Sequence, residues 1–365
     1  MPAQITHILI ANKALENIFG SSEMPSWLEK TNHLFNVGCQ GPDLFYHNQI
    51  TRPLAIEYGS LLHRRDYGVF CSKTLKWIKE ERVSNPNLLS YLAGFITHAI
   101  VDRVFHPFIM YVSFFSNHVN SPIPAGKFHA FYERILDVLL LKFFTAKTPM
   151  EFDTSKLLTI SDSVVETIID LYSKLLLQVY PERLNTDKFM LQRLKNTWTD
   201  SIWFYRVTNP KYSSIFVSPS HVKELCAQKN FVIDKPDWTL VSLLFPESLT
   251  ENVDWYNEAH KEWKNPSLGT VQTESIKDLA FIAIEKVTKV LKQFFFLVDS
   301  PYSEKEFALF EKLIENTSLC LVDEEGKPGL PKFSDSSFFP LDFEFQRQID
   351  IRLDWWFNFV NVDDK

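Results

Sequence analysis

His98-Ala-Ile-Val-Asp102-Arg-Val-Phe-His106-Pro107 lies inside the most apolar stretch of the chain, Leu88 to Phe115, and its reading decides the fold. A stretch of that length could cross a bilayer. His98, Asp102, Arg103 and His106 interrupt it, however, and each is costly in lipid. A buried helix whose polar residues hold a metal accounts for the same interruptions, so no transmembrane segment is expected. Residues four apart share a helix face, which aims the His98 imidazole and the Asp102 carboxylate at one point. His129-Ala-Phe-Tyr-Glu133 repeats the arrangement on what reads as the next helix. Nitrogen and oxygen donors of this kind suit Zn²⁺.

Helix geometry also counts the metals. At about 1.5 Å of rise per residue, His98 and His106 sit roughly 12 Å apart along the axis and cannot share an ion. Asp102 lies between them, close enough to His98 to share its metal and with a second oxygen free to bridge. His106 would join His129 and Glu133 at a different ion, so at least two metals are expected. An isolated helical histidine is more often structural than a ligand. Two His-x3-acid pairs, with His106 continuing the same spacing, reverse that balance. Eight of the ten histidines precede residue 130. His33, His47, His118, His221 and His260 have no comparable acid partner and read as background.

Composition supports a helical, globular chain. Of 365 residues 45% are hydrophobic and 23% charged, with 32 Phe but only 10 Gly, too few for a turn-rich sandwich or barrel. The expected class is all-α, a multi-helix bundle with a metal cluster in a cleft. Apolar periodicity predicts helices over Ile5–Phe19, Pro53–Val83, Leu88–Phe115, Lys127–Phe144, Ser161–Tyr180, Thr186–Val207, Pro219–Gln228 and Thr273–Val298, with a shorter one over Ser303–Asn316. Asn85 or Asn87 is a candidate N-cap. Val37–Thr51, with Gly-Pro-Asp at its centre, reads as loop, as does Ser116–Gly126. From Pro301 the character turns loop-like, suggesting a helical domain over residues 1–300 and a C-terminal extension over 301–365.

The net charge of −7 makes a sequence-independent grip on nucleic acid unexpected. Four scattered cysteines form neither a zinc ribbon nor a disulfide framework. The start, MPAQITHILIANKALENIF, has no basic region followed by an apolar core, and a cytoplasmic location is expected.

Three further segments, Thr6-His7-Ile-Leu-Ile-Ala11, Gly41-Pro42-Asp43-Leu-Phe-Tyr46 and Gly59-Ser-Leu-Leu-His63, join the H-x3-D-x3-H-P run and the H-x3-E that follows it. In order and spacing they resemble the zinc-dependent phospholipase C family. They are also similar to the catalytic domain of glycosylphosphatidylinositol-specific phospholipase D, in a superfamily that includes zinc-dependent single-strand nucleases. The resemblance is specific over residues 5–145 and continues loosely through Trp263-Lys-Asn-Pro266 to about residue 300. It implies an all-helical fold enclosing three zinc ions. Position by position, it implies that His63, His98, Asp102 and Asp43 hold the first ion, and His106, His129 and Glu133 the second. His7 and Asp102 would hold the third, and Asp43 would also act as general base. In secreted bacterial members an N-terminal tryptophan completes the third ion. Here the chain reads Met1-Pro2-Ala3, so two ions are expected and the third is left open.

The implied substrate is a phospholipid, or another phosphodiester, attacked at phosphorus by a metal-activated hydroxide. Transient contact with a membrane surface would accompany a lipid substrate. Of the aromatics around the motifs, Tyr46, Phe128 and Tyr132 are expected at the cleft mouth. Arg64, Arg65, Arg103 and Arg134 could meet a phosphate, though each reads first as a salt-bridge partner. The competing readings are a metal-dependent nuclease or soluble phosphodiesterase on the same scaffold, and a non-catalytic lipid-binding protein whose metals only staple the fold.

Overall fold

The computed structural model describes residues 4–20, 24–80, 85–114, 125–210 and 238–351. It is all-α apart from one two-stranded hairpin. The helices are α1 (Gln4–Phe19), α2 (Ser26–Lys30), α3 (Asn32–Gly38), α4 (Ile56–Arg64), α5 (Tyr67–Glu80), α6 (Pro86–Ser113), α7 (Ala125–Thr145), α8 (Asp162–Val179), α9 (Pro181–Leu184), α10 (Met190–Thr208), α11 (Ile276–Asp299) and α12 (Glu304–Ile314). Strands β1 (Trp263–Lys264) and β2 (Val271–Gln272) pair antiparallel, with Trp263 opposite Gln272.

α6 is the axis of the bundle. It is apolar on every side, as a helix surrounded by others must be, and α1, α3, α5, α7 and α11 all pack against it. Asn85 caps its start, accepting hydrogen bonds from the amides of Asn87 and Leu88. Among the described residues it is the helix long and apolar enough to cross a membrane, yet 94% of its most apolar window is buried inside the protein. The closest crossing is with α3. A Cβ on Gly94 would lie 2.0 Å from the Phe35 carbonyl oxygen, so only glycine admits this approach.

The predicted helix over Pro53–Val83 is two helices. Arg65 is extended and Asp66 has φ +60°, a left-handed turn that Asp tolerates better than most residues. The break is held from outside, because the Asp66 and Gly68 amides donate to the carbonyls of Asn316 and Glu315. Local periodicity carries no trace of such a partner. The Gly-Pro-Asp segment, read as loop, is a 3-10 helix over Gly41–His47, and α2, α3 and the hairpin were not anticipated. The helix expected over Pro219–Gln228, and most of the Ser116–Gly126 loop, lie outside the described residues.

Candidate metal centre

Five segments deliver the site. α6 contributes His98, Asp102 and His106 from successive turns, and α7 contributes His129 and Glu133. α1 brings His7, α4 brings His63 from its last turn, and the 3-10 helix brings Asp43. Gly41 explains why this last segment starts as it does. Its φ is +55°, and a Cβ there would lie 2.2 Å from Cγ of His98, so the turn lies flat on the imidazole it serves. α10 anchors the chain that follows: Asp200 accepts hydrogen bonds from the amides of Ile50 and Thr51 and from Asn48.

The donor atoms gather into three groups, each within a 4.8 Å span: His7, His98 and Asp102; Asp43, His63 and His98; His106, His129 and Glu133. His98 and His106 fall in different groups, as the helix rise requires. The two oxygens of Asp102 face different ways. Oδ1 lies 3.3 Å from Nε2 of His7, and Oδ2 lies 3.2 Å from Nε2 of His98. Asp43 reaches His63 at 3.0 Å through one oxygen and His98 at 3.4 Å through the other. Glu133 Oε1 lies 3.1 Å from His129 and 3.6 Å from His106.

These contacts are not ordinary hydrogen bonds. Nε2 of His98 and Oδ2 of both Asp43 and Asp102 are buried with no hydrogen-bond partner, an arrangement costly without a cation between them. Three of the rings are tied to the backbone through their other nitrogen. Nδ1 donates to the Gly59 carbonyl from His63 (2.7 Å), to Cys39 from His98 (3.2 Å) and to Leu319 from His106 (2.8 Å). That fixes each ring and leaves Nε2 as the metal-competent atom. The donor set and its burial therefore fit zinc.

The electrostatics agree. Burial opposes ionisation of Asp102, yet His106 and His98 hold its carboxyl well below the usual carboxylate range. Burial likewise opposes ionisation of Asp43 and Glu133, and neighbouring imidazoles hold both below that range. Burial would lower His106, but Asp102 and Glu133 hold it well above the usual histidine value. His129 is lowered, chiefly by burial.

Asp43, His63, His106, His129 and Glu133 line a cleft of about 580 Å³, with Tyr46, Ser60, Arg64, Cys320 and Leu330 among its walls, while His7, His98 and Asp102 are buried and not part of its lining. Tyr46 is there as expected. Phe128 and Tyr132 are not at the mouth: both are fully buried, Phe128 against Phe345 and Tyr132 stacked on Phe339, because α7 turns that side to the core. Of the four arginines, Arg65 pairs with Glu182, Arg134 with Asp137 at 3.3 Å, and Arg103 donates to backbone carbonyls. Arg64 has no such partner among the described residues. Of the background histidines, His47 stacks on Phe204 in the core, while His33 and His260 are exposed; His118 and His221 lie outside the described residues. The sequence reading missed Cys320, Leu330 and the Leu319 carbonyl, which carry no motif. Met1, Pro2 and Ala3, ahead of His7, also lie outside the described residues.

An all-helical bundle with clustered His and carboxylate donors opening on a cleft defines a candidate metal-binding protein. A family model described as zinc dependent phospholipase C matches residues 6–186, and the chain belongs to that family. The match ends before the hairpin, so the looser likeness through Trp263–Pro266 is not part of it. No curated protein and no solved structure matches the chain significantly.

Proposed function

We propose that the chain hydrolyses a phosphodiester of the phospholipase C type, releasing a phosphorylated head group from a glycerophospholipid. The observation that carries this reading is the gathering of three His and carboxylate donor groups, two of which reach one cleft, with Nε2 of His63, His98 and His106 left free by carbonyl bonds at Nδ1. Asp43, His63, His98 and Asp102 would hold one ion, and His106, His129 and Glu133 a second. His7 and Asp102 would hold a third if another donor completes it. Bound zinc supplies a water of lowered pKa and positive charge for the phosphate oxygens.

The protein's own residues do the rest. Asp43 keeps its second oxygen without a hydrogen-bond partner inside the cleft, and we assign it to hold the attacking water and take its proton. Arg64 is free to meet a phosphate oxygen or an acidic head group. Tyr46, packed beside His63 with ring centroids 4.9 Å apart, walls the entrance. Because the metals would meet the phosphate's charge, an acidic chain is no obstacle to an anionic ester.

The test is elemental analysis of purified protein together with hydrolysis of phosphatidylcholine, chromogenic phosphodiesters and single-stranded DNA, with and without chelator. Bound zinc with chelator-sensitive lipid turnover is expected. Turnover of DNA or soluble diesters alone would move the assignment to a nuclease or soluble phosphodiesterase. Folded protein that binds no zinc would end the reading altogether.

A further inference from the structure

Behind the wall that bears Cys320 lies a second concavity of about 400 Å³, between α6, α11, the end of α12 and the segment that follows it. Ser318 and Cys320 line both hollows, so a single strap of chain separates them. The second hollow holds four cations, Arg103, Lys286, Lys289 and Lys312, against one carboxylate, Glu315. That balance is the reverse of the chain's own, which is net −7.

The cations have different tasks. Arg103 is structural: its guanidinium donates to the carbonyls of Ser318 at 3.3 Å and Thr317 at 3.0 Å, and also to those of Ile314 and Glu315. Four of its five N–H donors are thereby engaged while its charge still lines the hollow. The three lysines form no ion pair or hydrogen bond among the described residues. Lys286 and Lys289 stand three apart on α11, and so on one face, and Lys312 approaches from α12. Asn265 adds an amide whose oxygen is already engaged by the amides of Ser267 and Leu268, leaving its NH₂ free to donate.

We propose that this hollow is a binding site for a multiply charged phosphate group. Lysine ammoniums are point charges with rotatable donors, suited to phosphate from several directions. The arginine fork that would read a planar carboxylate is already occupied by carbonyls. Holding four cations around a single carboxylate costs stability, and a bound di- or trianion removes that cost. The volume suits a phosphate with a small attached group. The site is separate from the metal centre and does not depend on the reading of it.

The phosphate may belong to a free ion or to a lipid head group at a membrane, and two arms separate them. One is isothermal titration with inorganic phosphate. The other is co-sedimentation with vesicles of phosphatidylcholine, alone or mixed with phosphatidic acid, whose phosphomonoester is multiply charged. Each compares the wild type with the triple variant Lys286→Gln, Lys289→Gln, Lys312→Gln, and with a control triple at the exposed Lys142, Lys147 and Lys195. The metal centre is intact in all three proteins, so phosphate taken there cancels in the comparison. All six lysines are exposed, and unchanged helical circular dichroism will confirm the fold. At least tenfold weaker binding in the first triple, with the control unchanged, is expected on one arm or both; the arm names the source. Equal binding by wild type and first triple on both arms, equal loss in the control, or no binding by the wild type would overturn the site.

Discussion

Replacing Asp102 by asparagine keeps the side chain's shape and removes the charge that faces His7 through one oxygen and His98 through the other. The first and third proposed ions lose their shared anion together, so Asp102→Asn should lose more than one zinc per chain by elemental analysis. Asp43→Asn touches a single group and should lose at most one. Its turnover should fall by a factor on the order of 10²–10⁴ if Asp43 takes the proton; near-normal turnover with zinc retained would remove it from that role. His106 predicts a proton balance. In zinc-free protein burial works to lower its pKa, but Asp102 and Glu133 hold it well above the usual histidine value, so the ring holds its proton more tightly than a free imidazole and zinc must expel that proton. Titrations of zinc in buffers of different ionisation enthalpy should show net proton release that shrinks in His106→Gln. The sign for zinc-free stability follows: with the folded pKa raised, the contribution is complete below the unfolded value and is lost as pH rises through the folded one.

At the scale of elements, the link between α7 and α1 sets the position of His7. α1 has no acidic residue in its own first turn. Asp137 on α7 substitutes, accepting from the amides of Ile5 at 2.9 Å and Thr6 at 2.7 Å while pairing with buried Arg134. Asp137→Ala should cost about 3–5 kcal/mol, because it strands Arg134 inside the protein. Denaturant midpoints measure that cost. Among variants that still fold, Asp137→Asn should weaken only the group containing His7, lowering zinc content by no more than one. Much of this architecture is legible in sequence because it is local. The i, i+4 spacing places His98 with Asp102 and His129 with Glu133, and apolar periodicity finds α1, α6, α7 and α11 within a few residues. What is not legible acts through backbone groups brought from far along the chain. The break at Asp66 depends on carbonyls of residues 315 and 316, and the ring of His106 is set by the carbonyl of Leu319. A carbonyl has no residue type, so no motif announces it. The burial of Phe128 and Tyr132 has the same origin, since their partners Phe345 and Phe339 lie some two hundred residues away.

For the molecule as a whole, the centre ties the first helix to a segment that lies beyond the family match. His7 comes from α1, while Leu319 accepts from His106 and donates its amide to the His63 carbonyl. Zinc at this junction would bind the folded state and not the unfolded one, so its removal must lower stability by mass action. The loss should be selective. The apolar core around α6 is continuous and contains no metal ligand on its α3 and α5 sides, so helical circular dichroism at 25 °C should survive chelation. What fails is the reason to keep Asp43, Asp102 and Glu133 ionised and close together in a buried floor. Thermal melts should therefore show native helicity at the start and a midpoint at least several degrees lower after chelation, restored by added zinc. A midpoint unmoved while elemental analysis shows the zinc gone would mean that the ions do not hold these segments together, and that the fold is set by the α6 core alone.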